Sequence, residues 1–167
     1  MQTEKNNMNM SKQWYAVTFV MAFATYWMVN LLLWYPWSIS SNLGITLMLT
    51  ASPVLWGYVI YKCLKKYRGR SLIRGALWVS FIFISVAVVG DYLFFGIIRN
   101  AMSALYEPTT FYGYAFLFSL PYLIAFIFQK KMKQTETIGR SDYLIFGMIA
   151  LISILALLVI IRFNLTL

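Results

Sequence analysis

The chain has 167 residues, of which 61% are apolar and only 11% are charged, and its net charge is +9. About a quarter of the residues of a soluble domain are charged, so this composition excludes an ordinary soluble fold and indicates a chain solvated largely by lipid. One cysteine and no histidine exclude an intrachain disulfide and a zinc site built from Cys and His, and we expect no cofactor.

Five apolar stretches come close to the roughly 20 helical residues that cross a hydrocarbon core of about 30 Å. Asp91 is the single charged residue within them. The sequence therefore predicts an all-α, polytopic transmembrane bundle of five spanning helices, a single domain over residues 13–167 that follows a disordered tail over residues 1–12. The predicted spans are Trp14–Trp34, Leu43–Tyr61, Gly75–Ile98, Phe111–Phe128 and Tyr143–Ile161.

The first span is predicted to be retained rather than cleaved. Its apolar run exceeds the roughly 7–15 residues of a signal peptide, and no small-residue cleavage site follows it. Trp34, Tyr35, Pro36 and Trp37 follow instead, and such an aromatic cluster is typical of a membrane interface.

The basic residues are sorted between the predicted connections. Of the 14 lysines and arginines, all but Arg99 and Arg162 lie before span 1, between spans 2 and 3, or between spans 4 and 5. The positive-inside rule therefore predicts a cytoplasmic N-terminus and an external C-terminus. Because these residues flank spans and form no basic domain, we expect no nucleic-acid binding. With no sorting signal evident, we expect the bacterial cytoplasmic (inner) membrane.

Spans 2–3 and spans 4–5 share a layout. Pro53 and Pro121 lie near the middle of spans 2 and 4, and Gly-Arg-Ser follows at residues 69–71 and 139–141. Both units end in Ile-Ile-Arg. This layout predicts a tandem repeat of two helical hairpins related by an axis along the membrane normal. Compositional similarity between apolar helices with basic ends is the alternative explanation. Each proline is expected to kink its helix.

Asp91 is the residue of greatest interest. A carboxylate near the centre of a spanning helix costs roughly 2.5–3.5 kcal/mol on insertion scales. Asp91 lies about 10 Å along the axis from Ile98, in the outer half of the span. At about 100° per residue it shares a face with Ala76, Ser80 and Ala87, and such small residues are typical of helix–helix contacts in membranes. We therefore expect Asp91 to point into the bundle.

Three roles are open to Asp91. The first is a structural anchor that hydrogen-bonds to a tyrosine, a serine or Asn30. The second is an ion pair with Arg99 or Arg162. The third is a proton or cation site for transport. A direct pair with Arg99 is disfavoured, because Arg99 lies eight residues on and about 80° around the helix. Glu107 lies in the outer connection among aromatic residues, which predicts either an interfacial belt or a shallow outer binding site.

The chain offers little for catalysis. It has no histidine and five acidic residues, and it contains no nucleotide-binding or hydrolase motif, so we expect no enzyme. Two functions remain. The first is a small accessory or interaction subunit that binds lipid and other membrane proteins, or itself as a homo-oligomer. The second is a small proton- or cation-coupled transporter or channel-like protein that uses Asp91.

Overall fold

The computed structural model describes residues 2–69, 71–130, 132 and 138–163, with side chains from Lys12 onward. Every element in these ranges is helical, and five helices are long and apolar enough to span a membrane, which confirms the predicted all-α fold and the count of candidate spans. A π-helical segment over Tyr92–Ile98 extends the third helix, and a 3-10 turn over Met102–Tyr106 precedes the fourth. The helices are α1 (Gln2–Ile39), α2 (Ser41–Lys65), α3 (Leu72–Asp91), α4 (Pro108–Phe128) and α5 (Arg140–Arg162).

Helix α1 is longer than the first predicted span. Its backbone is helical from Gln2 onward, where the sequence predicts a disordered tail over residues 1–12, and its apolar part begins at Lys12. Ser40 alone separates it from α2. The turn is tight because the Trp37 side chain lies over Gly44, where an added Cβ would come within 2.6 Å of Trp37 Cε3.

Consecutive helices run in opposite directions. Near the start of α1, Trp14 Nε1 donates to the carbonyl of Cys63 near the end of α2, at 2.9 Å. Near the end of α1, the ring of Trp34 packs edge-on against Phe94, which follows α3, at 5.2 Å. We call the end of the bundle that contains Trp14 and Cys63 the Lys66 end, and the opposite one the Arg99 end.

Four helices form a ring in the order α1, α2, α4, α3, and α5 lies outside this ring against α1. The predicted hairpins are therefore not packing units. Helix α2 packs mainly against α1, and α4 packs mainly against α3. In the part of the chain that the structure describes, α4 and α5 share no substantial interface. The tandem repeat stays a prediction about the sequence.

Helices α1 and α5, which pack against each other, differ in how much of their surface they bury. Half of the apolar window of α1 is buried inside the protein, against 17% of that of α5. Helix α5 buries only Ala150, Ser153 and Leu157 among its described residues. It therefore turns most of its surface outward, as a helix at the edge of a membrane bundle does.

Both predicted prolines lie inside helices, Pro53 in α2 and Pro121 in α4. A proline deprives the preceding turn of a backbone donor, and the carbonyls of that turn need other partners in lipid. Ser80 of α3 donates its hydroxyl to the carbonyl of Phe118, three residues before Pro121, at 2.9 Å. The buried stripe of α3 thus supplies a hydrogen bond to the turn that Pro121 disturbs.

Candidate functional site

The carboxylate of Asp91 joins three helices. The Tyr26 hydroxyl of α1 donates to Oδ1 at 2.8 Å, and the Tyr114 hydroxyl of α4 donates to Oδ2 at 2.7 Å. Asp91 itself is the last residue of α3. Of the three roles open to Asp91, hydrogen bonding to tyrosine is the one whose geometry is present.

The small-residue face of α3 directs Asp91 toward these partners. Ala76, Ser80 and Ala87 are all buried, which confirms the predicted stripe and its inward direction. Asp91 lies on the same face at the edge of the core, where it is half-buried. The 100° periodicity of an α-helix therefore holds from the start of α3 to Asp91.

Gly90 makes room for the aromatic partner. The Tyr26 side chain is only 3% exposed, and its ring lies so close to Gly90 that an added Cβ would come within 2.6 Å of Cζ. One turn further along α1, Asn30 Nδ2 donates to the carbonyl of Tyr26 at 3.1 Å. Because Gly90 has no side chain, the Tyr26 ring covers the backbone of α3 there while its hydroxyl reaches the side chain of Asp91.

The α-helix gives way to a π-helix directly after Asp91. The N–H of Arg99 donates to the carbonyl of Phe94, five residues earlier, at 2.9 Å. The Phe94 ring is fully buried and packs edge-on against Trp27 at 6.1 Å. The predicted span Gly75–Ile98 lies within one continuous helical span, Leu72–Ile98, but its last residues are π-helical instead of α-helical. π-Helical turns within α-helices are rare and occur frequently at functional sites.

Arg99 interacts with aromatic rings. Its guanidinium lies 4.7 Å from the centroid of Trp34 and 5.7 Å from that of Phe95, a cation–π geometry. Desolvation lowers the pKa of this guanidinium. Among the residues that the structure describes, neither Arg99 nor Arg162 forms an ion pair with Asp91. The second predicted role of Asp91, an ion pair with Arg99 or Arg162, is therefore not present among the described residues.

Glu107 takes a separate position at the start of α4. It is the residue before Pro108, it is exposed, and its Oε2 lies 3.5 Å from the hydroxyl of Thr109. The nearby rings of Tyr106 and Tyr112 are 73% and 72% exposed. No described contact joins Glu107 to Asp91 or Arg99, so the three candidate residues do not form one site.

A second polar cluster lies at the Lys66 end, and the sequence did not predict it. Lys66 Nζ lies 3.1 Å from Asp142 Oδ2, with side chains only 6% and 19% exposed. The same carboxylate oxygen accepts the N–H of Gly139 at 2.9 Å, which caps the start of α5. The available signal was that Asp142 is the one acid in the first turn of α5, close to the basic flank.

Neither cluster resembles a metal centre. Within the described ranges, no group of three or more His, Cys, Asp or Glu side chains could hold a metal ion. No family model, curated protein or solved structure matches this chain.

Proposed function

We propose that this protein is a small integral membrane subunit that binds other membrane proteins through the outward surface of α2. Three polar residues, Asn42, Thr46 and Thr50, are exposed on this helix. At about 100° per residue they fall within about 80° of one another. We call this surface the polar face of α2.

The polar face suits contact with another helix. The Thr46 hydroxyl donates to the carbonyl of Asn42 at 2.8 Å, and the Thr50 hydroxyl donates to that of Thr46 at 2.6 Å, so neither needs water. Further along the same side, an added Cβ on Gly57 would meet nothing within 4 Å. Hydroxyl and small residues let helix backbones approach closely in membranes.

The contrast with α5 is the observation that carries this proposal. Helix α5 also faces outward, and the exposed residues of its middle turns are apolar, such as Leu151 and Leu155, whereas α2 exposes its three polar residues beside apolar ones such as Leu49 and Val54. The mean hydropathy of its span is 3.2, against 1.6 for α2. Lipid is a sufficient neighbour for α5, whereas the polar face of α2 has the composition of a helix–helix interface.

Purification of the full chain from its own membranes tests the proposal. We expect a defined membrane protein, or a second copy of this chain, to co-purify with the wild type and to be lost from the double variant Thr46→Leu and Thr50→Leu. The matched control carries Leu151→Thr and Leu155→Thr on α5 and should retain the partner. Equal recovery from both double variants would contradict the proposal, and so would recovery of no specific partner.

The proposed setting is the bacterial cytoplasmic membrane with the N-terminus inside. The described helices support this orientation, because they alternate in direction and bring Lys62, Arg74 and Arg140 to the same end as the start of α1. Arg99 and Arg162 fall at the other end. A strong basic excess at one end is the pattern of a cytoplasmic face.

Proton- or cation-coupled transport is the second candidate. The π-helical segment directly after Asp91 favours it, because such segments often mark functional sites. The two tyrosine bonds weigh against it, because each carboxylate oxygen already has a donor. An Asp91→Asn variant that folds and inserts normally but loses proton- or cation-dependent flux in liposomes would select this candidate. We propose no catalytic role.

A further inference from the structure

A lateral groove runs between α1 and α3 on the outer surface of the ring. Its volume is about 310 Å³. Phe19 and Phe81, two of its lining residues, are 54% and 59% exposed, so the groove opens toward the surrounding lipid. Its walls are apolar except for a few hydroxyls and the indole N–H, and they are formed by Tyr15, Phe19, Trp78, Phe81, Ile82 and Ser85.

The groove closes toward the Lys66 end at a pair of rings. Tyr15 of α1 and Trp78 of α3 meet edge-on, with centroids 5.5 Å apart. Lys12 precedes Tyr15 by three residues, and Arg74 precedes Trp78 by four. Residues at these spacings share a helix face. Lys12 and Arg74 therefore lie one turn beyond the ring contact, and both are exposed. We call these two residues the basic pair.

The basic pair lies in a positive environment. Among the side chains that the structure describes, the acid at this end is Asp142, and its carboxylate is bound by Lys66 and by the N–H of Gly139. No carboxylate among the described side chains bonds either member of the basic pair. Two exposed cations one turn beyond the closed end of an apolar groove favour a ligand with an anionic head and an apolar tail.

We propose that the basic pair and the groove together bind an anionic phospholipid such as phosphatidylglycerol. Lys12 and Arg74 contact the phosphate, for which an arginine fork is well suited. Tyr15 and Trp78 lie at the level of the headgroup, where such rings are enriched. One acyl chain follows the groove past Ile82 to Ser85.

The dimensions agree with this assignment. From Trp78 to Ser85 the groove runs about 10 Å along the axis of α3. One leaflet contributes about 15 Å of hydrocarbon thickness, so the groove holds most of the depth that a chain crosses in its own leaflet. The site contains no residue of α2, so it stands or falls independently of the partner-binding surface proposed above.

Native mass spectrometry of the full chain, released from detergent with added lipid, tests the site. We expect phosphatidylglycerol to be retained in preference to phosphatidylcholine with the same chains. Lys12→Gln and Arg74→Gln should each weaken that retention about fivefold. Lys130→Gln is the matched control, because Lys130 is an exposed cation at the same end of the bundle. It follows α4, whose Phe128 packs against Tyr61 of α2, so it lies beside α2 instead of the groove.

A second measurement tests the groove itself. Phosphatidylglycerol with brominated chains should quench Trp78 fluorescence, so Trp78→Phe should remove a quenched component, and Ser85→Phe should reduce the quenching by filling the groove. Equal retention of both lipids by the wild type, or an equal loss in Lys130→Gln and Arg74→Gln, would overturn the proposal. If the basic-pair variants do not fold, unchanged quenching in Ser85→Phe overturns it.

Discussion

Tyr26 donates its hydroxyl to Asp91 across the interface between α1 and α3, over 2.8 Å. The ring of the same residue covers Gly90. One side chain thus makes a directional bond and a close steric fit to two consecutive residues of α3. Because the ring lies against Gly90, its hydroxyl is held beside the Asp91 carboxylate. In a bilayer no water replaces a lost partner, so a shift of this ring also costs the hydrogen bond.

Substitution of Gly90 should therefore disturb more than a helix backbone. We expect Gly90→Ala to lower the free energy of unfolding by about 1–3 kcal/mol, because the new methyl overlaps the Tyr26 ring. Thermal unfolding in detergent measures the change. Gly113→Ala is the control, since an added Cβ there meets nothing within 4 Å, and it should be stabilising by roughly 0.5–1 kcal/mol. Similar effects of the two variants would contradict the assigned contact.

The bond between Tyr114 and Asp91 should appear as a coupling energy. In a double-mutant cycle of Tyr114→Phe with Asp91→Ala, we expect a coupling energy between about 0.6 kcal/mol, the average for hydrogen bonds between membrane helices, and about 1.7 kcal/mol, the maximum. Denaturant unfolding in detergent provides the four stabilities. The same cycle with Tyr112→Phe, whose residue is 72% exposed, should give no coupling. A zero value for Tyr114 would show that its hydroxyl bond does not stabilise the fold.

The spans and the direction of Asp91 could be predicted because each follows from one strong constraint. Lipid demands length and apolarity, and these define the five spans. A regular helix turns about 100° per residue, which places Asp91 on the face of Ala76, Ser80 and Ala87. The choice of tyrosine partners could not follow from either constraint. The chain has 12 tyrosines, and nothing local indicates that residues 26 and 114 meet at residue 91.

The order in which the helices pack also could not be predicted from the sequence. A helix face that suits lipid also suits another apolar helix, so the apolar composition of α5 did not by itself indicate that it packs against α1 and outside the ring. The π-helical segment over Tyr92–Ile98 also could not be predicted, because its apolar residues would fit an α-helix equally well. Lys66 and Asp142 are separated by 76 residues, and only the folded chain brings them together.

The pair of Lys66 and Asp142 should secure the start of α5. We expect Lys66→Met to cost about 1–3 kcal/mol of unfolding free energy, because it leaves a half-buried carboxylate without this cation. The loss stays below the roughly 3–5 kcal/mol of an isolated buried charge, since Asp142 still accepts the N–H of Gly139. Thermal unfolding and amide hydrogen exchange in the first turn of α5 measure the effect.

The exchange data separate a local effect from general damage. In Lys66→Met, the amides at the start of α5 should exchange faster while those near Asp91 keep their protection. Lys130→Met, which removes an exposed cation of the same end, should change neither. Uniform loss of protection throughout the bundle would show that Lys66 supports the whole fold instead of the docking of α5.

The orientation can be measured with two exposed serines. Cys63 is fully buried, so the wild-type chain should not react with a membrane-impermeant maleimide. Ser71, at the start of α3, and Ser103, in the turn before α4, are both exposed and lie at opposite ends. Because the basic excess accompanies Ser71, the positive-inside rule predicts labelling of Ser103→Cys in intact spheroplasts and of Ser71→Cys only after lysis. The reverse pattern would place the N-terminus outside, and labelling of both would exclude a single orientation.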